Sequence, residues 1–219
     1  MTASHDPSNR VAVSAEDATI QEGCILGLAY QEDAGPVVIG PGAIIRSGTT
    51  IYADVTAGRE LETGHNVLIR EHTKVGDHVL VGTNTVIEGH VEIGSFVKLE
   101  SNCFIPTHAV IGSFVFFGPG VVLTNDRYPL RRTGEYVPEG PIVEDGVTLG
   151  GGALLCPGVR VGVDSFVAAG AVVTRDVPES SLAIGVPAEI RPLPDKLRRR
   201  NMARSWERQL AEGNEGHDG

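Results

Sequence analysis

Two sets of residues recur at one spacing. His72, His90 and His108 stand 18 residues apart, and so do Asn66, Asn84 and Asn102, a set that runs on at the same step to Gly120. An imidazole titrates near neutral pH, so it can take or give a proton or bind a metal. A carboxamide donates from its nitrogen and accepts at its oxygen, and so orients a polar partner. A glycine lets a ligand lie against the main chain. These residues could provide proton transfer, an aimed acceptor and a bed for an extended ligand, but only if residues 18 apart are neighbours.

A six-residue period makes them neighbours. Every sixth residue from Ile39 to Leu123 is selected, and a second run, two residues out of phase, goes from Val143 to Val173. Of these 21 positions 18 are Ile, Leu or Val, the exceptions being Ala57, Thr63 and Phe117. Four residues after each of them except Leu123, where the period breaks, comes a small or β-branched one, with Leu61 alone large. Three residues after each of the same 20 comes a turn position, and 17 of those 20 are Gly, Asn, Asp or His, which best tolerate positive φ. A period of six fits neither a helix nor a plain alternating strand. It is the hexapeptide pattern of a parallel β-helix. Each hexad gives a short strand and a turn, and three hexads make one coil. Coils stack about 4.8 Å apart.

Three corners follow. One holds Asn66, Asn84, Asn102 and Gly120 and, provided the break in the period leaves the coil count intact, Gly152 and Gly170. The next holds Asp54, His72, His90, His108 and Asp126, and the third Glu60, His78, Phe96 and Phe114. Turn geometry explains any one Asn or Gly, but not why Asn clusters below and Gly above. A column of His is open to two readings, a general base or a metal site; ligands must converge on a point, which a column does not do. Ala57 to Thr63 is the weakest hexad, and a looser turn or an altered corner is expected there. The break itself, residues 125–141, opens with Asn125, Asp126, Arg127 and Tyr128 and also carries Arg131, Arg132 and Tyr136. Long excursions from a regular solenoid are usually functional, the alternative being a loop docked on a neighbouring subunit.

Composition bounds the rest. At 219 residues and net charge −10, the chain reads as one domain with tails, and its main body is unsuited to nucleic acid or an anionic membrane. No apolar run reaches membrane-span length and no signal peptide is visible. Cys24, Cys103 and Cys156 show no metal spacing, and Cys103 falls at an inward position, so a reducing cytoplasm is expected. Residues 1–19 read as a disordered or loosely docked arm, residues 20–194 as the β-helix, 195–212 as an amphipathic helix and 213–219 as a tail. On that helix Leu197, Asn201, Met202, Ser205, Trp206 and Leu210 form one face, opposite a basic one.

The runs Lys98–Asn102 and Gly118–Asn125 carry a resemblance, as do Val167–Val173 and Ile184–Ala188. Over roughly residues 20–195 the chain resembles the hexapeptide-repeat acyltransferases. The first two runs are most similar to N-acetyltransferases of nucleotide-linked 3-amino sugars; the last two are common to many subfamilies. The resemblance implies an all-β fold, a left-handed parallel β-helix with the loop excursion and a short C-terminal α-helix. It implies acetyl-CoA as cosubstrate, a nucleotide-linked amino sugar as acceptor, a homotrimer and no metal. Carried onto this sequence, Gly120, Gly152, Ala168, Gly170 and Arg191 line the donor. Asn84, Asn125, Asp126, Arg127 and Tyr128 meet the acceptor. Asn102 lies at the reacting end, its amide oxygen accepting from the amine, with His108 or His90 as candidate base. An O-acetyltransferase of another small acceptor is the nearest alternative. A γ-carbonic anhydrase-like metalloprotein is a further one, although the pair of His five residues apart that such proteins carry does not occur here.

Overall fold

A computed structural model describes residues 12–131, 137–198 and 201. The chain winds as a left-handed parallel β-helix with three faces, sheets of eight, ten and eight strands. Each sheet collects every third strand. On one face Lys74 pairs with Thr56 below and Glu92 above, in parallel register. Most strands are only two residues long because a turn must follow each one. Their hydrogen bonds therefore run between coils, as from Val86 N–H to the Cys103 carbonyl at 3.0 Å.

The period does what its residue types dictate. The repeated aliphatic residues, from Ile39 and Ile45 through Val173, fill one continuous buried core. Burying each such side chain is worth roughly 1.5–3 kcal/mol, most of it offset by backbone ordering. Nineteen of the 20 turn positions have positive φ, between 54° and 78°, Asp176 being the exception. Even Phe96 and Phe114 adopt it, at 59° and 60°.

The weak hexad is not loose. Thr56 and Glu62 keep register with Lys74 and Leu80, and Glu60 turns at φ 55°. Leu61, large where its counterparts are small, is fully buried, and Ala57, small where its counterparts are aliphatic, is buried as well. Thr63, inward in place of an aliphatic residue, has its hydroxyl satisfied: Oγ1 accepts from Arg46 N–H at 3.0 Å and lies 3.3 Å from Thr49 Oγ1.

The helix also begins earlier than the expected boundary at residue 20. Val13–Ala15 pairs with Val37–Ile39, and Thr19–Ile20 with Ile44–Ile45. Those pairings span 24 and 25 residues rather than 18, so the six-step register cannot reach them. Residues 1–11 lie outside the described residues. At the other end an antiparallel hairpin, Ser181–Ile184 with Glu189–Pro192, covers the sheet edge. A 3-10 turn follows at Asp195–Leu197. The rest of the expected helix, with Met202, Trp206 and Leu210, lies outside the described residues, apart from Asn201, whose Nδ2 donates to the Phe114 carbonyl at 2.6 Å.

The excursion leaves the coil count intact. Val110 pairs with Ile142 and Val122 with Leu154, both offsets being 32 residues, one coil plus 14. The corner of Asn66 therefore does continue to Gly152 and Gly170. The histidine corner does not continue to Asp126. The chain leaves the coil after Asn125 and re-enters at Glu139, whose N–H bonds the Asn125 carbonyl at 2.9 Å. Gly140 then takes the place above His108, so close that a Cβ would collide with the His108 carbonyl. Arg132 and Tyr136 lie outside the described residues.

Candidate functional site

The asparagine corner is a ladder. Asn66 Nδ2 donates to Asn84 Oδ1 at 3.3 Å, and Asn84 Nδ2 to Asn102 Oδ1 at 3.4 Å. Above Asn102 the side chains stop. No atom lies within 4 Å of where a Cβ would stand on Gly120, Gly152 or Gly170. Other glycines of the repeat are different: a Cβ on Gly118 would meet the backbone of Gly151 at 2.5 Å. Gly118 is thus required by coil packing, whereas the three corner glycines floor an open groove. Ala168 borders it, its N–H bonded to the Ala183 carbonyl at 2.8 Å.

Past Gly170 the terminal hairpin lies over the last coil, Val172 N–H bonding the Gly185 carbonyl at 3.0 Å, and a cleft of about 410 Å³ there is lined by Arg175, Gly185, Pro187, Glu189 and Arg191 among others. Arg191 pairs with Glu189 at 2.7 Å and holds that carboxyl below its usual range. Arg191 was among the residues expected at the donor and Arg175 was not: it stands between Val173 and Asp176, at a place in the hexad where the repeat selects no residue type.

The histidine corner is a stack. Ring centroids lie 4.7 Å apart for His72 and His90 and 5.2 Å for His90 and His108. Its lower end is anchored by Tyr30, whose hydroxyl donates to Asp54 Oδ2 at 2.7 Å and so must accept from His72 Nε2, 2.8 Å away. Burial, and then Asp54, push the Tyr30 phenol up to about 12. Desolvation and the flanking imidazoles of His72 and His108 lower the pKa of His90. That arrangement favours an uncharged His90. The rings lie over one another rather than around a common point, and among the described residues no three His, Cys, Asp or Glu side chains are grouped to hold a metal. Tyr30 lies before the regular repeat, where no spacing could flag it.

The excursion springs from this second corner. Asn125 Nδ2 donates to Thr107 Oγ1 at 2.8 Å, and an Arg127 guanidinium N–H to the Pro157 carbonyl at 2.8 Å. Asp126 Oδ1 accepts from Tyr128 N–H at 2.9 Å, and Tyr128 is exposed. The expected site residues therefore fall into two groups. Asn84, Asn102, Gly120, Gly152, Ala168 and Gly170 share one corner, with Arg191 at its end. His90, His108 and Asn125–Tyr128 share the next. Asn102 and His108, six residues apart, are separated by one face of the prism, on the order of 15 Å at strand rise. Within one chain they cannot act on the same atom.

Known proteins show the same repeat. A family model described as the hexapeptide repeat of succinyl-transferase matches residues 72–106 and 142–175. The galactoside O-acetyltransferase of Lactococcus lactis is 36% identical over 81 residues, 35% of this chain and 39% of that protein. The 2,3,4,5-tetrahydropyridine-2,6-dicarboxylate N-acetyltransferase of Staphylococcus aureus is 49% identical over 49 residues, 22% of this chain and 20% of that protein. The chain thus spans about two fifths of the length of the first of these curated relatives and a fifth of the second. Among solved structures, PerB from Caulobacter crescentus, in complex with CoA and GDP-perosamine, covers 80% of this chain and 57% of its own at 24% identity and a TM-score of 0.38. The two stretches that the family model matches lie on either side of the break in the six-residue period, and both belong to the parallel β-helix, so the likeness shown is that of the hexapeptide repeat itself.

Proposed function

We propose that this chain transfers an acetyl group from acetyl-CoA to the amino group of a nucleotide-linked amino sugar. The observation that carries this is the open column of Gly120, Gly152 and Gly170. Their φ values, 68–70°, are close to those that Asn, His and Phe hold at equivalent turns, so the turn does not require glycine. No atom crowds the missing Cβ, so packing within the chain does not require it either. What the glycines preserve is access to main chain along three successive coils. A pantetheine arm is extended, narrow and amide-bearing, and carbonyls already used in coil hydrogen bonds keep a second lone pair for it. Arg175 and Arg191 at the end of the column suit the phosphates of a nucleotide. Asn102 borders the other end, where the thioester would lie.

The amine nitrogen attacks the thioester carbonyl, the N–C bond forms, the C–S bond breaks, and the amine proton passes to a base or to the departing thiolate. We place the acceptor against Asn125–Tyr128 and a homotrimer around the groove. A neighbouring copy would bring its histidine corner to the Asn102 of this one, which the separation within one chain otherwise forbids. The choice of amine over hydroxyl rests on the Lys98–Asn102 and Gly118–Asn125 runs.

Incubation with acetyl-CoA and a panel of nucleotide-linked amino sugars, alongside simple hydroxyl acceptors, tests this by mass spectrometry. One added acetyl group on an amino sugar nucleotide is expected. Acetylation of hydroxyl acceptors alone would shift the reading to O-acetyl transfer, and no product with no binding of coenzyme A would remove it.

A further inference from the structure

We propose that Asn66 and Asn84 are positioning residues: they form a one-way chain of carboxamides that turns Asn102 Nδ2 into the glycine groove, so that Asn102 serves as a hydrogen-bond donor. The inference rests on the acetyl-transfer reading above. The direction of the chain follows from its two bonds, Asn66 Nδ2 to Asn84 Oδ1 and Asn84 Nδ2 to Asn102 Oδ1. It agrees with the coil beneath, where Gly48 leaves the room that Asn66 Oδ1 occupies and a Cβ would collide with that oxygen. All three oxygens point towards the N-terminal coils and all three nitrogens towards the C-terminal ones. Above Asn102 the next residue of the column is Gly120, with nothing near its missing Cβ, so the last Nδ2 faces open groove. The spacing is held by the main chain: Asn84 N–H bonds the His65 carbonyl and Asn102 N–H the Thr83 carbonyl, both at 2.9 Å. Matching turns, at φ 55°, 58° and 62°, keep the side chains in line.

An unclamped carboxamide presents its oxygen and its nitrogen about equally well. In the ladder the oxygen of Asn102 is engaged by Asn84, which leaves the N–H to the groove, and an amide that accepts a hydrogen bond donates a stronger one. A donor there meets the thioester oxygen as the amine attacks and negative charge collects on that oxygen. The charge returns when the C–S bond breaks, and the amine proton leaves with the thiolate or to solvent. This reverses the polarity expected from the sequence, in which the Asn102 oxygen accepts from the amine.

Asn84→Asp tests the direction. A carboxylate cannot donate, so Asn102 must turn its Nδ2 towards Asp and its oxygen towards the groove. The expected loss in kcat is about 10²-fold, as for removal of one oxyanion donor, with KM for acetyl-CoA unchanged within about twofold. Asn84→Ala frees the amide without reversing it and should lose less. A readout that needs no turnover is the side-chain amide resonance of Asn102 in nitrogen-15-labelled protein. On titration with acetyl-CoA it should shift in the wild type and not in Asn84→Asp, while the backbone resonances of Gly152 and Gly170 shift in both. If those glycine resonances stay still in the wild type and no acetyl is transferred, the acetyl-transfer reading itself has failed and the proposal with it. If the wild type transfers acetyl but Asn84→Asp keeps its kcat, or the Asn102 resonance shifts alike in both, the ladder sets no direction and the proposal is overturned. A raised KM with unchanged kcat would be charge repulsion and would overturn it equally.

Discussion

Replacing Gly152 with phenylalanine should abolish tight binding of coenzyme A while leaving the helix folded. The backbone at Gly152 has φ 68°, and Phe96 and Phe114 hold 59° and 60° at equivalent turns of this chain. The strain of a side chain in that region is about 1–2 kcal/mol, modest against a helix whose core is continuous from Leu26 to Ala188. The new ring would lie in the groove. A rise in Kd of at least about 10²-fold is expected, equivalent to about 2.7 kcal/mol, with a small fall in Tm. Glu60→Phe is the matched control: it puts the same ring at the same kind of turn, φ 55°, on the third corner, and should leave Kd unchanged. Calorimetric titration with coenzyme A measures both. An unchanged Kd for Gly152→Phe would mean that the glycines keep no cofactor groove open.

The second large effect separates the two corners. Asn102→Gly removes the carboxamide and keeps the turn, since the column already carries glycine at Gly120 with φ 70°. It should lower kcat by about 10²–10³-fold, the usual cost of losing a donor to the developing oxyanion, with little change in KM for acetyl-CoA. His108→Asn also preserves the turn, because Asn holds the same φ at Asn84 and Asn102. Its loss should be the smaller of the two. A His108 acting as base would instead cost at least about 10²-fold and flatten the acidic limb of the pH profile. That result, with Asn102→Gly near normal, would move the reacting centre to the histidine corner.

The fold was legible because side-chain type and backbone requirement repeat together. Ile or Val inward and Gly, Asn, Asp or His at the turn recur every six residues, so register, strand order and stacking of the corners follow by arithmetic. The arithmetic failed where the chain departs from the period. Val13–Ala15 joins the first coil across a longer connection, and Tyr30 reaches Asp54 and His72 from an irregular stretch. Asp126 keeps the step from His108 by number, yet Gly140 takes the place because the chain has already left the coil. The weak hexad misled for a different reason: the large residue stands at Leu61 and the small one at Ala57, the reverse of the usual order, yet both are buried and the register holds. In the candidate site the columns could be read, but the separation of Asn102 from His108 and the direction of the amide ladder could not. The first depends on the width of a face and the second on which atom of each carboxamide meets the next. Arg175 did not stand out because the place it holds in the last hexad, two after Val173, carries no selected residue type along the repeat.

The central claim is that the column of Gly120, Gly152 and Gly170 is the bed of the acyl donor. Determining the structure of the protein with coenzyme A tests it most directly. The expected result is a pantetheine arm lying against the Cα atoms of those three glycines, its thiol end towards Asn102 and its phosphates towards Arg175 and Arg191. Coenzyme A seated along the His72–His90–His108 stack, or on the third corner beside Phe96 and Phe114, would contradict it.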